Sequence, residues 1–434
     1  MAASLSGLAV SSGAVSGRAG TDLQVRLPSL RADEGVPAWS VHAVIYSTIL
    51  LNFVLCVLRT RGLPVGSNAV AACELATYAA ALYWARREVP LGAIGVAVGT
   101  VLYVLSMRTF VNPEIEPRIL RDLAIPFVFV AFGRTCGDPE QADRVVYWAV
   151  AIVTAGALFE AFLPESYSKL VDILTFYYER GGPTGVTFDQ VAKADVGNTL
   201  YMGATRIADE GRTVGSFLGD LIGNHRVSSV FLEAVSSSAF SGIAFGWMVS
   251  RFSSKPMINI VFLCLATLNI LLADGRMASV TCLTALAIYL FRLSLNGIAI
   301  FCLPFAALLF LVLDGAYSNG IMDNGLSGRL LMSGSVLYSW GVDEWLALKS
   351  SALTVVDCGY GWLLSNIGLI PLAAFWSLFA FQGRLALQQR QWLTLMALYF
   401  VLSLCVGPAS LSVKTAGLAW FLCGVMTSPR WQAT

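Results

Sequence analysis

Apolar residues fall in long, nearly uncharged runs, and no other feature of the chain restricts its fold as much. Stretches such as Val145–Leu163, Val230–Val249 and Gly361–Phe381 approach the ~20 residues a helix needs to cross a hydrocarbon core of about 30 Å. Lipid leaves backbone amides nothing to bond except one another, so runs of this kind fold as helices. Only 13% of the 434 residues are charged, against about a quarter in soluble domains, and the mean hydropathy is +0.70. The reading is an all-α, polytopic integral membrane protein.

The apolar runs give about 12 transmembrane segments: 39–58, 68–84, 90–107, 122–133, 145–163, 228–250, 256–272, 277–291, 297–313, 360–381, 391–406 and 411–426. The fourth is short. Either Arg121 and Arg134 snorkel at its ends or it is re-entrant. Residues 1–38, rich in Ser, Gly and Ala and lacking the apolar core of a signal peptide, read as a flexible tail. Residues 39–426 are then the membrane domain, and 427–434 a second, short tail.

Charge sets the orientation. With the N-terminus inside, the inner loops hold Arg86 and Arg87, Arg134 and Arg144, Arg251 and Lys255, Arg292, then Arg384 and Arg390, as the positive-inside bias requires. Both termini then lie in the cytoplasm, and the two long breaks, about 164–227 and 314–359, lie outside. In the first, Ser166–Tyr178 has helical spacing and reads as a helix on the membrane interface. Gly181, Gly182, Pro183 and Gly185 end it. In the second, a helix is predicted over about Arg329–Trp340.

Those outer breaks carry Arg180, Arg206, Arg212, Arg226 and Arg329, against the topological bias, and so ask for an anionic partner. Arg226 enters the sixth segment with Glu233 seven residues on, two turns away on one helix face. Charge at that depth faces a polar cavity or a partner, although headgroup snorkelling by Arg226 and helix pairing by Glu233 would also account for it. Arg276 follows Asp274 and Gly275 in a short outer hairpin, where a self-neutralised turn is the ordinary alternative. Arg329 starts a helix, where a cation opposes the helix dipole. Arg212 precedes the glycines Gly215, Gly219 and Gly223, although Asp209 and Glu210 lie close enough for a surface ion pair with it or with Arg206. His225 adjoins Arg226, either as a hydrogen-bonding residue or as a proton acceptor.

Other chemistry lacks residues to carry it. No Walker sequence, dinucleotide-binding glycine pattern or HExxH is present. Most of the nine cysteines sit in apolar runs and only two histidines exist, which argues against a disulfide framework or a zinc site. No cofactor and no nucleic acid is expected. Guanidinium forks suit phosphate oxygens, and diphosphate is also a leaving group whose growing charge such donors stabilise. A lipid carrying a diphosphate head fits the pattern.

Many spans, a dominant outer loop in mid-chain, the series Arg226, Ser229, Phe231 and Glu233 entering the next span, Arg276 at the start of a later one, and the spacing of Arg212 to Gly223 together resemble the Wzy-type polysaccharide polymerases and O-antigen ligases. Within that group the chain looks most like exopolysaccharide polymerases of the xanthan-gum type; the ligase branch has a histidine in a later outer loop, and the second long loop here has none. The resemblance implies a GT-C-like glycosyltransferase of the bacterial inner membrane. It would join oligosaccharide repeats carried on undecaprenyl diphosphate, without a metal, beside flippase and chain-length or export partners. On that basis Arg226, Glu233 and His225 are the candidate catalytic residues, and Arg212, Arg276, Arg329 and Asp274 the candidate substrate-binding residues. A flippase for lipid-linked oligosaccharide is the competing class, although its usual repeated halves and midplane charges are not seen. A passive scaffold would leave the arginines unexplained.

Overall fold

The computed structural model describes residues 36–86, 91–110, 117–178, 225–318, 326–349, 358–383, 385–429 and 431. Arg180, Arg206, Arg212, Gly215, Gly219 and Gly223 lie outside them, as does most of the N-terminal tail.

Every regular element among the described residues is helical: α1 (Ala38–Thr60), α2 (Ser67–Ala85), α3 (Leu91–Phe110), α4 (Pro117–Cys136), α5 (Pro139–Phe162), α6 (Pro164–Leu170), α7 (Ile173–Tyr178), α8 (Ala234–Ser250), α9 (Pro256–Ala273), α10 (Arg276–Leu290), α11 (Gly297–Tyr317), α12 (Leu326–Tyr338), α13 (Val342–Trp345), α14 (Gly359–Ile367), α15 (Leu369–Ala380), α16 (Leu387–Val406) and α17 (Val413–Met426). Two 3-10 turns, Ser229–Phe231 and Pro408–Leu411, precede α8 and α17. Each apolar segment read from the sequence holds a helix. Of these α1, α5, α9 and α11 are long and apolar enough to cross a membrane, and α14 with α15 makes a fifth if the bent pair counts as one span. The fold is therefore compatible with a membrane protein.

Four segments differ from the sequence reading. The fourth is not short: α4 extends back through Arg121 and Asp122, because Arg121 donates to Asp122 at 2.7 Å and to Glu74 of α2 at 2.9 Å, matching charges that hydropathy counts as breaks. The tenth is not continuous. Gly368 takes φ +77°, a side chain there would come about 3.0 Å from the Leu346 backbone, and α14 and α15 meet at 109°. The expected interfacial helix is two short ones, α6 and α7, whose Tyr167, Ile173 and Phe176 are buried with Leu55 and Cys56 of α1. The sixth segment starts late: Ser229 (φ 51°) and Leu232 (φ 61°) are left-handed, a conformation non-glycine residues rarely adopt, so the helix begins only at Ala234.

Close crossings of small residues join the helices. A side chain at Gly133 of α4 would fall 2.1 Å from the Phe421 carbonyl oxygen of α17. One at Gly334 of α12 would fall 2.3 Å from that of Leu311 on α11. Such contacts let backbones approach where lipid offers no hydrophobic drive for helix association.

Polar contacts sort the loops onto two ends of the bundle. At one end Arg134 reaches Gln382 and Thr427, Gln388 donates to the Ser250 carbonyl, and Trp39 of α1 meets Trp84 of α2 edge-on. At the other, the Asp172 amide donates to Thr60 at 2.9 Å and Val227 pairs with Leu272. Arg134, Gln382, Gln388 and Ser250, which border three of the loops grouped together by charge, thus share an end. At the same end Trp431 packs on Trp247 and lies under the Arg251 guanidinium.

Arg251 in turn pairs with Asp143 (3.2 Å), to which Trp247 also donates. Asp143 is 1% exposed, and deleting one member of a buried pair strands the other, typically costing about 3–5 kcal/mol. Asp143→Ala should therefore lower the thermal unfolding midpoint in detergent well below that of the wild type. An unchanged midpoint would mean that the pair holds nothing together.

Candidate functional site

Glu160, at the last turn of α5 and wholly buried, organises the stretch that leads into α8. Its carboxylate accepts from the Ser228 amide at 3.0 Å, the Ser229 amide at 2.6 Å, the Ser228 hydroxyl and His225 Nε2 at 2.6 Å. Tyr167 donates to the Ser229 carbonyl and Ser229 Oγ to that of Val153. These bonds hold the left-handed residues in place and fix the backbone that carries Arg226.

Arg226 then lies across the end of α9. Its Nε donates to the Ala273 carbonyl at 3.1 Å and its Nη2 to that of Asp274 at 3.5 Å. A cation there satisfies carbonyls that the helix leaves unpaired and suits the dipole. The chain reverses at Asp274 (φ 51°) and Gly275, which sits so close to Ser238 of α8 that an added Cβ would lie 2.2 Å from its Cβ. Arg276 begins α10 directly after. Arg329 occupies the first turn of α12, half-buried; it makes no ion pair among the described residues.

These elements enclose one cavity of about 470 Å³. Its wall includes Arg226, Glu233, Asp274, Arg276 and Arg329, the hydroxyl-bearing Ser238, Tyr399 and Ser403, and apolar side chains such as Val235, Met277 and Pro408. Five of the seven residues singled out from sequence thus share a wall. Arg212 lies outside the described residues. His225 is not on the wall; it is turned to Glu160 instead.

The two-turn spacing of Arg226 and Glu233 on one helix face is corrected by the same backbone. No helix runs between them, and they meet the cavity because the chain bends at Ser229 and Leu232. Glu233 pairs with Lys414 of α17 at 2.6 Å and accepts from Tyr177 and Ser236. The wall thus carries the guanidinium groups of Arg226, Arg276 and Arg329 together with the carboxylates of Glu233 and Asp274. Among the described residues no three of His, Cys, Asp or Glu come together to hold a metal ion.

Sequence reasoning missed Lys414, Tyr177, Tyr399 and Ser403. Lys414 did leave a signal, as the single charge within residues 411–426, a placement that usually marks a partner or a site. The hydroxyls left none. A smaller hollow of about 50 Å³ is lined on α16 by Phe400 and Leu404 and otherwise mainly by apolar side chains, including Trp362, Trp376 and Trp420; it lacks the arginines. No protein-family model, curated protein or solved structure matches the chain.

Proposed function

We propose that the chain is a GT-C-like membrane glycosyltransferase of about 12 spans. It lengthens a polysaccharide by joining repeat units carried on undecaprenyl diphosphate, at the outer face of a bacterial inner membrane, with both termini inside. The observation that supports this reading most directly is the meeting of Arg226, Arg276 and Arg329, far apart in sequence, on one partly apolar wall. A polar head and a lipid stem would each find matching surface there.

On this reading an acceptor hydroxyl attacks the anomeric carbon of the donor chain. A new carbon–oxygen bond forms as the bond to diphosphate breaks, and the departing diphosphate carries away the electron pair. The guanidinium groups meet that charge without reorganising, which is where preorganised donors lower a barrier most. Glu233 lies on the same wall to orient the hydroxyl or take its proton. His225 acts through Glu160 on the backbone of Arg226.

Purified protein in detergent, given prenyl-diphosphate-linked repeats and no nucleotide, should yield a ladder of longer glycolipids. Absence of the ladder, together with movement of the same lipid across liposomes, would assign the cavity to transport instead.

A further inference from the structure

Lys414, the only charge of α17, pairs with the cavity-wall carboxylate of Glu233. Its side chain is 7% exposed, and Nζ lies 2.6 Å from Glu233 Oε2 and 3.5 Å from the Tyr177 oxygen. Ser236 Oγ donates to the same Oε2 at 2.8 Å, while Tyr177 donates to Oε1 at 2.9 Å. Each carboxylate oxygen offers about two acceptor positions. Oε2 is therefore filled and Oε1 keeps one. The Glu233 side chain is 33% exposed and on the cavity wall, so an occupant can reach that position.

The charge balance decides what kind of group belongs there. Lys414 already cancels the carboxylate, so the pair draws no cation. An open acceptor on a neutralised, tightly held pair takes a neutral donor, and Ser238 and Ser403 on the same wall offer further hydroxyls to a polyol. We propose that Glu233 is a sugar-hydroxyl subsite and that Lys414 is its positioning residue, fixing the carboxylate in the one orientation that leaves an acceptor facing the cavity. Tyr177 completes the hold from the outer segment. The proposal rests on the reading that a sugar carried on diphosphate enters this cavity.

Two probes separate the parts: a short-prenyl diphosphate, and the same molecule bearing one hexose, each titrated calorimetrically into the full-length protein in detergent. The wild type should prefer the hexose-bearing probe by about tenfold or more, as sites built around a hydroxyl do. Lys414→Met should abolish that preference while changing affinity for the sugar-free probe much less, and Lys414→Arg, which keeps the cation, should retain most of it. Glu233→Gln should lose the preference as well. Glu233→Gln with Lys414→Met, which removes both charges and leaves neither stranded, should be no worse than Glu233→Gln alone, because the two residues act as one unit.

A preference that survives Lys414→Met, or losses that add in the double variant, would overturn the subsite and leave the diphosphate reading standing. Binding of both probes without preference in the wild type would do the same. Binding of neither would overturn the diphosphate reading and the subsite with it.

Discussion

Arg329→Ala protein should unfold at the wild-type temperature yet bind the sugar-free prenyl diphosphate roughly 30-fold more weakly and form no extended product. The factor corresponds to about 2 kcal/mol, the lower end of what removing one member of a desolvated charge pair costs, since Arg329 is only half-buried. Stability should not change because Arg329 makes no ion pair among the described residues and sits against the dipole at the start of α12. Arg226→Ala makes the contrast. It removes a cavity cation too, but also the donor to the Ala273 and Asp274 carbonyls, so binding and unfolding temperature should fall together. Calorimetry and thermal unfolding on the two variants test this side by side. Wild-type binding by Arg329→Ala would remove that arginine from the site.

Gly334→Val should cost more. The α11–α12 crossing leaves no room at that position: the first added carbon would lie 2.3 Å from the Leu311 carbonyl oxygen and 2.9 Å from the Gly315 amide nitrogen. These are backbone atoms, so the helix must move. Misplacing a binding group by about 1 Å is enough to lose on the order of 10²-fold in rate, and α12 carries Arg329. Chain extension should therefore collapse in Gly334→Val, and Gly334→Ala should fall between it and the wild type. Turnover per folded molecule is the measurement that decides. Full activity in the valine variant would mean that α12 does not position the arginine.

Much of the fold was legible because hydropathy marks long apolar helices directly. Segments such as 145–163 and 297–313 became α5 and α11 with small changes at their ends. What it did not report was backbone geometry inside an apolar run. Gly368 looked like one more residue of a span and is a corner. Ser229 and Leu232 looked like the start of a helix and are left-handed, which needs Glu160 far upstream to hold them. Arginine placement pointed to the guanidinium groups that share the cavity wall, since charge set against the expected topology or dipole is visible in one dimension. Arg226, Arg276 and Arg329 were found in that way. His225 adjoins Arg226, but adjacency in sequence says nothing of direction, and its ring faces Glu160. Tyr399 and Ser403 sit in an apolar helix where a hydroxyl has no periodic signature.

The contact between Glu233 and Lys414 bears on biogenesis. Glu233 leaves the ribosome just ahead of α8, whereas its counter-ion arrives only with α17, after α9 to α16. Until then the carboxylate has only the hydroxyls of Tyr177 and Ser236 as partners. The order of synthesis thus makes α17 the element that completes this pair, and a chain halted before it lacks the cation that holds Glu233.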